Sequence, residues 1–129
     1  MSPVQITTFG YLHGEPPQAT ITLDLRTHFK DPHVDPALRH LTAHDEKVQV
    51  KVMNTKGIGN LVDAAAAMVC AYSRGPVSDP ILVAIGCSGD RHRAPAVGTA
   101  LQAILVQDHR ISAQIIHRDI DKPVIERSA

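Results

Sequence analysis

Cysteine is scarce in this chain, with two residues in 129. Cys70 falls in a helix-like stretch and Cys87 in a glycine-containing turn, which argues against a disulfide framework and points to a reducing, cytoplasmic setting. No apolar run is long enough to cross a bilayer, and the opening residues MSPVQITTFG lack the basic-then-apolar pattern of a secretory signal. An excess of charge of either sign is also missing. Thirteen basic residues balance thirteen acidic ones, so nucleic acid would not be held by bulk charge, and only a local basic patch is left for that role. No Gly-Lys-Ser/Thr phosphate loop occurs, which sets aside a conventional nucleotide triphosphatase. Tryptophan is absent and only two phenylalanines and two tyrosines occur, whereas histidine is abundant at eight.

Five of those histidines, His13, His28, His33, His40 and His44, lie in the first third of the chain. Taken singly, each reads as a solvated surface residue. Clustered near arginines, they also suit an anion pocket that titrates near neutral pH. A zinc site is not indicated, because only His40 and His44 stand at a compact spacing and they flank a predicted turn.

Hydrophobic patterning predicts one α/β domain. Val4 to Phe9 and Thr20 to Leu25 read as strands, and Pro36 opens a short helix over Ala37 to Leu41. Glu46 to Met53 fits either a strand with Val48, Val50 and Val52 alternating or a helix capped by Asp45; the helix is preferred. Gly57 and Gly59 mark a loop before an alanine-rich helix from Asn60 to Arg74. Pro80 to Gly86 is a continuous apolar run, the pattern of a central strand covered on both faces. A helix from Ala94 to Gln107 and a strand from Ser112 to His117 complete the domain over residues 1–120, with 121–129 a loosely ordered tail. The expected architecture is a small layered fold around a mostly parallel sheet. Its ligands would gather at the carboxyl ends of the strands, where Asp24, Arg26, Cys87, Arg93 and His117 fall.

The segment Gly86 to Arg93 (GCSGDRHR) carries the most chemistry. A buried strand that turns abruptly into a helix directs several backbone N–H groups into one small space, and the helix dipole favours an anion there. Gly86 and Gly89 allow close approach and unusual dihedrals. Ser88 adds a hydroxyl, and Arg91 and Arg93 add planar cationic donors suited to phosphate. Cys87 and Arg93 also stand at the spacing of cysteine-dependent phosphatases, in which loop amides hold phosphate over an activated thiolate. Those enzymes place a hydroxyl residue after the arginine, where this chain has Ala94. They also need an aspartic general acid, for which only Asp31 or Asp35 offers itself. A non-catalytic Cys87 lining the loop is the preferred reading.

The same residues carry a family resemblance. AIGCSGDRHR resembles the AIGCTGGKHRS segment in the C-terminal domain of RapZ-type RNase adapter proteins. Phe9-Gly10 with His13-Gly14 resembles that family's SFGF-x-HG opening, and TLDLR at Thr22 to Arg26 resembles VFDVR. Asp31-Pro32-His33 resembles its Asn-Pro-His, the run Leu38-Arg39, Leu41-Thr42 and Asp45 its LR-x-x-TG-x-D, and His117-Arg118 its closing HR. The resemblance runs from Phe9 to Arg118. It implies a non-enzymatic sensor domain for a phosphorylated amino sugar such as glucosamine-6-phosphate, with no cofactor, and with protein partners, RNA binding and self-association among the family's properties. Carried over by position, Cys87, Ser88, Gly89, His92 and Arg93 form the phosphate end of the pocket, and Asp24, His13 and His33 face the sugar. Three departures stand out. Asp90 replaces the second loop glycine, Ala94 replaces the serine after the arginine, and a near-neutral DKPVIERSA replaces the basic tail, which disfavours RNA.

Overall fold

A computed structural model of the chain describes residues 3–32 and 35–125. Four strands, β1 (Val4–Gly10), β2 (Ile21–Asp24), β3 (Ile81–Cys87) and β4 (Ala113–His117), alternate with α1 (Glu46–Met53), α2 (Ile58–Ser73) and α3 (Arg93–Gln107). The strands form one sheet in the order β2-β3-β1-β4, and every pairing is parallel. The sheet is therefore parallel throughout rather than mostly so.

Residue alternation decides which face is covered. Val4, Ile6 and Thr8 of β1 stand opposite Ile81, Val83 and Ile85 of β3 in the register, and all six are buried. Helix α3 lies against this face. A Cβ added at its Gly98 would meet Thr8 Cγ2 at 2.6 Å and Ile115 Cδ1 at 3.1 Å, so the missing side chain lets the helix backbone approach the sheet. Helices α1 and α2 pack beside α3, and their Val48, Val52, Val62 and Val69 extend the same core.

The other face is covered only in part, unlike the two-sided burial expected of a continuous apolar strand. At its carboxyl end Gly86 lies beneath the Phe9 and Tyr11 rings, while Leu82 of β3 and Ile116 of β4 are 36% and 63% exposed. The apolar run therefore reported a central strand correctly, but not the coverage of its second face.

Local chemistry sets the remaining elements. Helix α1 forms because Asp45 caps it, its carboxylate accepting from the Lys47 amide at 2.8 Å, and because Val48 and Val52 share the buried face while Val50 stays exposed. Helix α2 begins at Ile58, behind Gly57 in the left-handed region at φ 92°, and Gly59 lies inside it rather than in a loop. The short helix expected over Ala37 to Leu41 does not form. That stretch makes separate turns, with Leu38 N–H donating to Asp35 O and Leu41 N–H to Leu38 O. Its one buried apolar anchor in Ala37 to His40 is Leu38, too little to offset the cost of nucleating a helix. No helix among the described residues is long and apolar enough to cross a membrane.

Candidate functional site

The carboxyl ends of β1, β2 and β3 meet at one edge of the sheet. Gly10 stands beside Cys87, and Asp24 beside Gly86. The loop from Ser88 to His92 crosses this edge and leads into α3. It is held from three sides: Ser88 O accepts from Leu12 N–H at 3.1 Å, Arg91 O accepts from Ala43 N–H at 2.7 Å, and the Asp90 carboxyl accepts from Asp119 N–H at 2.9 Å.

The glycines do different work from that expected. Gly86 needs no unusual dihedral; a Cβ there would lie 2.5 Å from both Phe9 Cζ and Tyr11 Cε2, so glycine admits the aromatic pair. Gly89 has open space where a side chain would be, its nearest contact being the Arg91 stem at 3.8 Å. The left-handed residue of the loop is Asp90, at φ 59°, a conformation that aspartate tolerates better than most residues. Gly10 supports the loop from below, where a Cβ would sit 2.7 Å from the Gly89 carbonyl carbon and 2.9 Å from Ser88 O. Both obstacles are backbone atoms. Gly10→Ala is expected to displace the loop and lower the thermal midpoint by several degrees, read by circular dichroism, whereas Gly89→Ala should leave the midpoint nearly unchanged.

Arg93 opens α3 and is almost fully buried. Its Nη1 donates to Leu25 O at 2.9 Å, Arg26 O at 3.1 Å and Phe29 O at 3.1 Å. These bonds tie the turn after β2 to the helix. The other edge of the guanidinium is held loosely. Nη2 lies 3.3 Å from Asp31 Oδ2 and 3.4 Å from Ser88 Oγ, and the buried Nε has no hydrogen-bond partner. A guanidinium has five N–H donors in a fixed fork, so with Nη2 shared between Asp31 and Ser88 it is Nε that retains donor capacity.

Asp31 joins that edge to His92. Its Oδ1 lies 3.5 Å from His92 Nδ1, and His92 Nε2 donates to Leu41 O at 2.7 Å. His92 is buried and anchors the segment that carries Leu41 and Ala43. Asp24 is exposed and chelated by Arg26, whose Nε and Nη2 reach both carboxylate oxygens at 2.7–3.2 Å. The Arg26 hydrogen bonds hold the Asp24 carboxyl below its ordinary range. His13 belongs to the short 3-10 turn Tyr11–His13, brought to the loop by the Leu12–Ser88 bond. His33 lies outside the described residues.

Cys87 points into the core rather than into the loop. It packs within the hydrophobic cluster, and its Sγ accepts from the Ala94 amide at 3.4 Å. Burial pushes its thiol above the ordinary range despite that amide and Arg93. A nucleophile needs the opposite shift and an open path to substrate, so the geometry disfavours the phosphatase alternative. Among the described residues, no group of three or more His, Cys, Asp or Glu side chains could hold a metal.

Sequence reasoning did not single out the polar network beneath the loop. Asp90 and Asp119 are both fully buried. The Asp119 carboxylate accepts from Gly10 N–H at 2.9 Å and from Arg118 Nε at 3.0 and 3.1 Å, and it is ion-paired with Lys122 Nζ at 2.6 Å. The Thr8 hydroxyl lies 2.7 Å from His117 Nδ1 and stands near enough to the Asp90 carboxyl to favour its charged form. These residues fall on β1, on β4 and the turn that follows it, and on the loop, so their meeting is a product of strand order. The one local signal was the charged run Arg118-Asp119 directly after a strand.

The profile of the RapZ C-terminal domain matches residues 2–121. Over 121 residues the chain is 35% identical to a nucleotide-binding protein of Thermobifida fusca, covering 91% of this chain and 40% of that protein. A nucleotide-binding protein of Heliobacterium modesticaldum is 34% identical over 123 residues, covering 92% and 40%. One from Thermus thermophilus is 31% identical over 121 residues, covering 92% and 43%. The chain thus spans about two fifths of the length of these relatives.

Proposed function

The chain belongs to the RapZ C-terminal domain family, and we propose that it is a binding domain for a phosphorylated metabolite, an amino sugar phosphate such as glucosamine-6-phosphate being the favoured ligand. The observation that carries this reading is the state of Arg93. Its Nη1 is fixed by three carbonyls, its Nη2 is shared loosely between Asp31 and Ser88, and its buried Nε has no hydrogen-bond partner. Buried donors are rarely left unmatched in native proteins, and an anion on the Nε–Nη2 edge would accept from it bidentately. Phosphate would then lie against the Ser88 hydroxyl and the open Gly89 backbone at the start of α3, where the helix dipole also favours negative charge. Asp24 and the Tyr11–His13 turn would border the sugar.

Titration calorimetry with glucosamine-6-phosphate, glucosamine and inorganic phosphate tests the reading. Binding is expected from the two phosphate-bearing ligands and not from glucosamine. Ser88→Ala removes a hydrogen bond to a charged group, which is worth about 1.5–3 kcal/mol, so affinity should fall at least tenfold with little change in stability. Phosphate-independent binding, or none at all, would overturn it.

A further inference from the structure

A second cation stands at the same sheet edge. Arg26 follows β2, and its carbonyl lies 3.1 Å from Arg93 Nη1, so its backbone is fixed against the buried guanidinium that also reaches Ser88. Its side chain turns outward. The Arg26 guanidinium carbon stands 3.6 Å from the centroid of the Tyr11 ring, and Tyr11 itself packs on Phe9 with centroids 4.8 Å apart. The ring is thus fixed by the core, and the guanidinium rests on it. Asp24 holds the Nε and Nη2 side, while Nη1 makes no bond to a described residue. Arg26 and Asp24 are both exposed.

These features set Arg26 apart from Arg93. Arg93 is buried and committed to backbone carbonyls, so it cannot turn to follow a ligand. Arg26 is planar, held flat by an aromatic face and reachable from solvent, the arrangement in which arginine recognises anionic oxygens well. Among the described residues its one ionic partner is the exposed Asp24 carboxylate, and exposed pairs of this kind add little to stability. Exchange of that partner for a ligand anion therefore costs little.

We propose that Arg26 is an exchangeable ligand-recognition residue: on binding of a phosphorylated ligand, its guanidinium turns from Asp24 to the ligand's anionic oxygens while Asp24 accepts from a hydroxyl or ammonium group of the same ligand. This rests on the phosphate-ligand reading above and adds a second cation and a source of selectivity to it. A ligand that carries both an anion and a hydrogen-bond donor satisfies both halves of the pair. Inorganic phosphate satisfies only the arginine and leaves Asp24 without its partner. The pair thus favours a phosphorylated polyol or amino sugar over bare phosphate.

The test combines calorimetry with the ring-proton resonances of Tyr11, assigned by comparison with a Tyr72→Phe protein that retains Tyr11 as its single tyrosine. In the wild type, glucosamine-6-phosphate is expected to shift the Tyr11 resonances as the guanidinium moves on the ring. Arg26→Gln should weaken glucosamine-6-phosphate at least tenfold and abolish most of that shift, with an unchanged thermal midpoint. Arg26→Lys should recover part of the affinity. Asp24→Asn should reduce the preference for glucosamine-6-phosphate over inorganic phosphate. If the wild type binds and Arg26→Gln binds equally well, the exchange is wrong and the phosphate-ligand reading stands. If the wild type binds no phosphorylated probe, both fall.

Discussion

Arg93→Ala is expected to lower the unfolding free energy by about 3–5 kcal/mol, the range for removing one member of a buried charged network. Three carbonyls of the turn after β2, at Leu25, Arg26 and Phe29, lose their donor at once. Asp31 also loses the cation 3.3 Å from its carboxylate. Arg93→Lys should recover little, because one ammonium cannot span carbonyls on one side and Asp31 on the other. Urea unfolding of the ligand-free protein checks this, a fall in midpoint without a change in slope marking lost stability. A midpoint within error of the wild type would show that these bonds do not hold the turn. The same result bears on binding experiments. Loss of ligand in Arg93→Ala would mix an altered fold with a lost contact, so Ser88→Ala and Arg26→Gln are the cleaner probes.

Asp90→Asn is expected to make the protein more stable at pH 8 and to flatten its stability profile above pH 4. Burial is the main cause that raises the Asp90 carboxyl from 3.8 to about 6. The native state therefore keeps a proton that the unfolded chain releases near 3.8. Stability falls as pH rises from about 4 through 6, because the folded protein must then ionise a buried carboxyl. At about 1.4 kcal/mol per pH unit of difference between the two states, the full penalty is about 3 kcal/mol. Asp119 works in the opposite sense. Its hydrogen bonds to Arg118, Gly10 and Lys122 outweigh its burial and lower its carboxyl to about 2, so its contribution is present above about pH 4 and is lost as pH falls through 2. Asparagine suits the left-handed backbone at position 90, and its carbonyl can still accept from Asp119 N–H. Urea midpoints at pH 4.5 and pH 8 should separate for the wild type and converge for Asp90→Asn. Equal slopes in the two proteins would show that Asp90 does not titrate in this window.

The Asp90 result also explains the departure noted in the sequence. The position is left-handed, which accounts for glycine in the family segment AIGCTGGKHRS, and here an aspartate occupies it by turning its side chain inward. Its carboxyl meets Thr8 and the Asp119 amide rather than the space above Ser88 and Gly89. An acid in this loop therefore does not mean an acid facing the space above Ser88 and Gly89.

Local signals carried much of the fold. The Asp45 cap and the Val48–Val52 spacing favoured the helix α1 over a strand, and the run from Pro80 to Gly86 marked a buried strand, because caps and periodicity act over a few residues. The strand order β2-β3-β1-β4 and the open second face were not legible, since they depend on pairings between distant segments. The site divides in the same way. The strand–loop–helix at Gly86 to Arg93, with Ser88 and Gly89 at its centre, could be read directly from the sequence. The roles of its side chains could not, because type and spacing do not report direction.

The sequence by itself therefore determined an α/β domain with one glycine-containing loop leading into α3, and its membership of a family whose model spans residues 2–121. Tertiary structure decided which groups the loop presents. It turned Cys87 into the core, committed His92 to Leu41, and fixed one edge of Arg93 on three carbonyls. It also placed Arg26 on Tyr11 at the same sheet edge. The reason is physical: a side chain's chemistry is local, but its free donors and acceptors are those left after distant backbone and carboxylate partners have taken theirs.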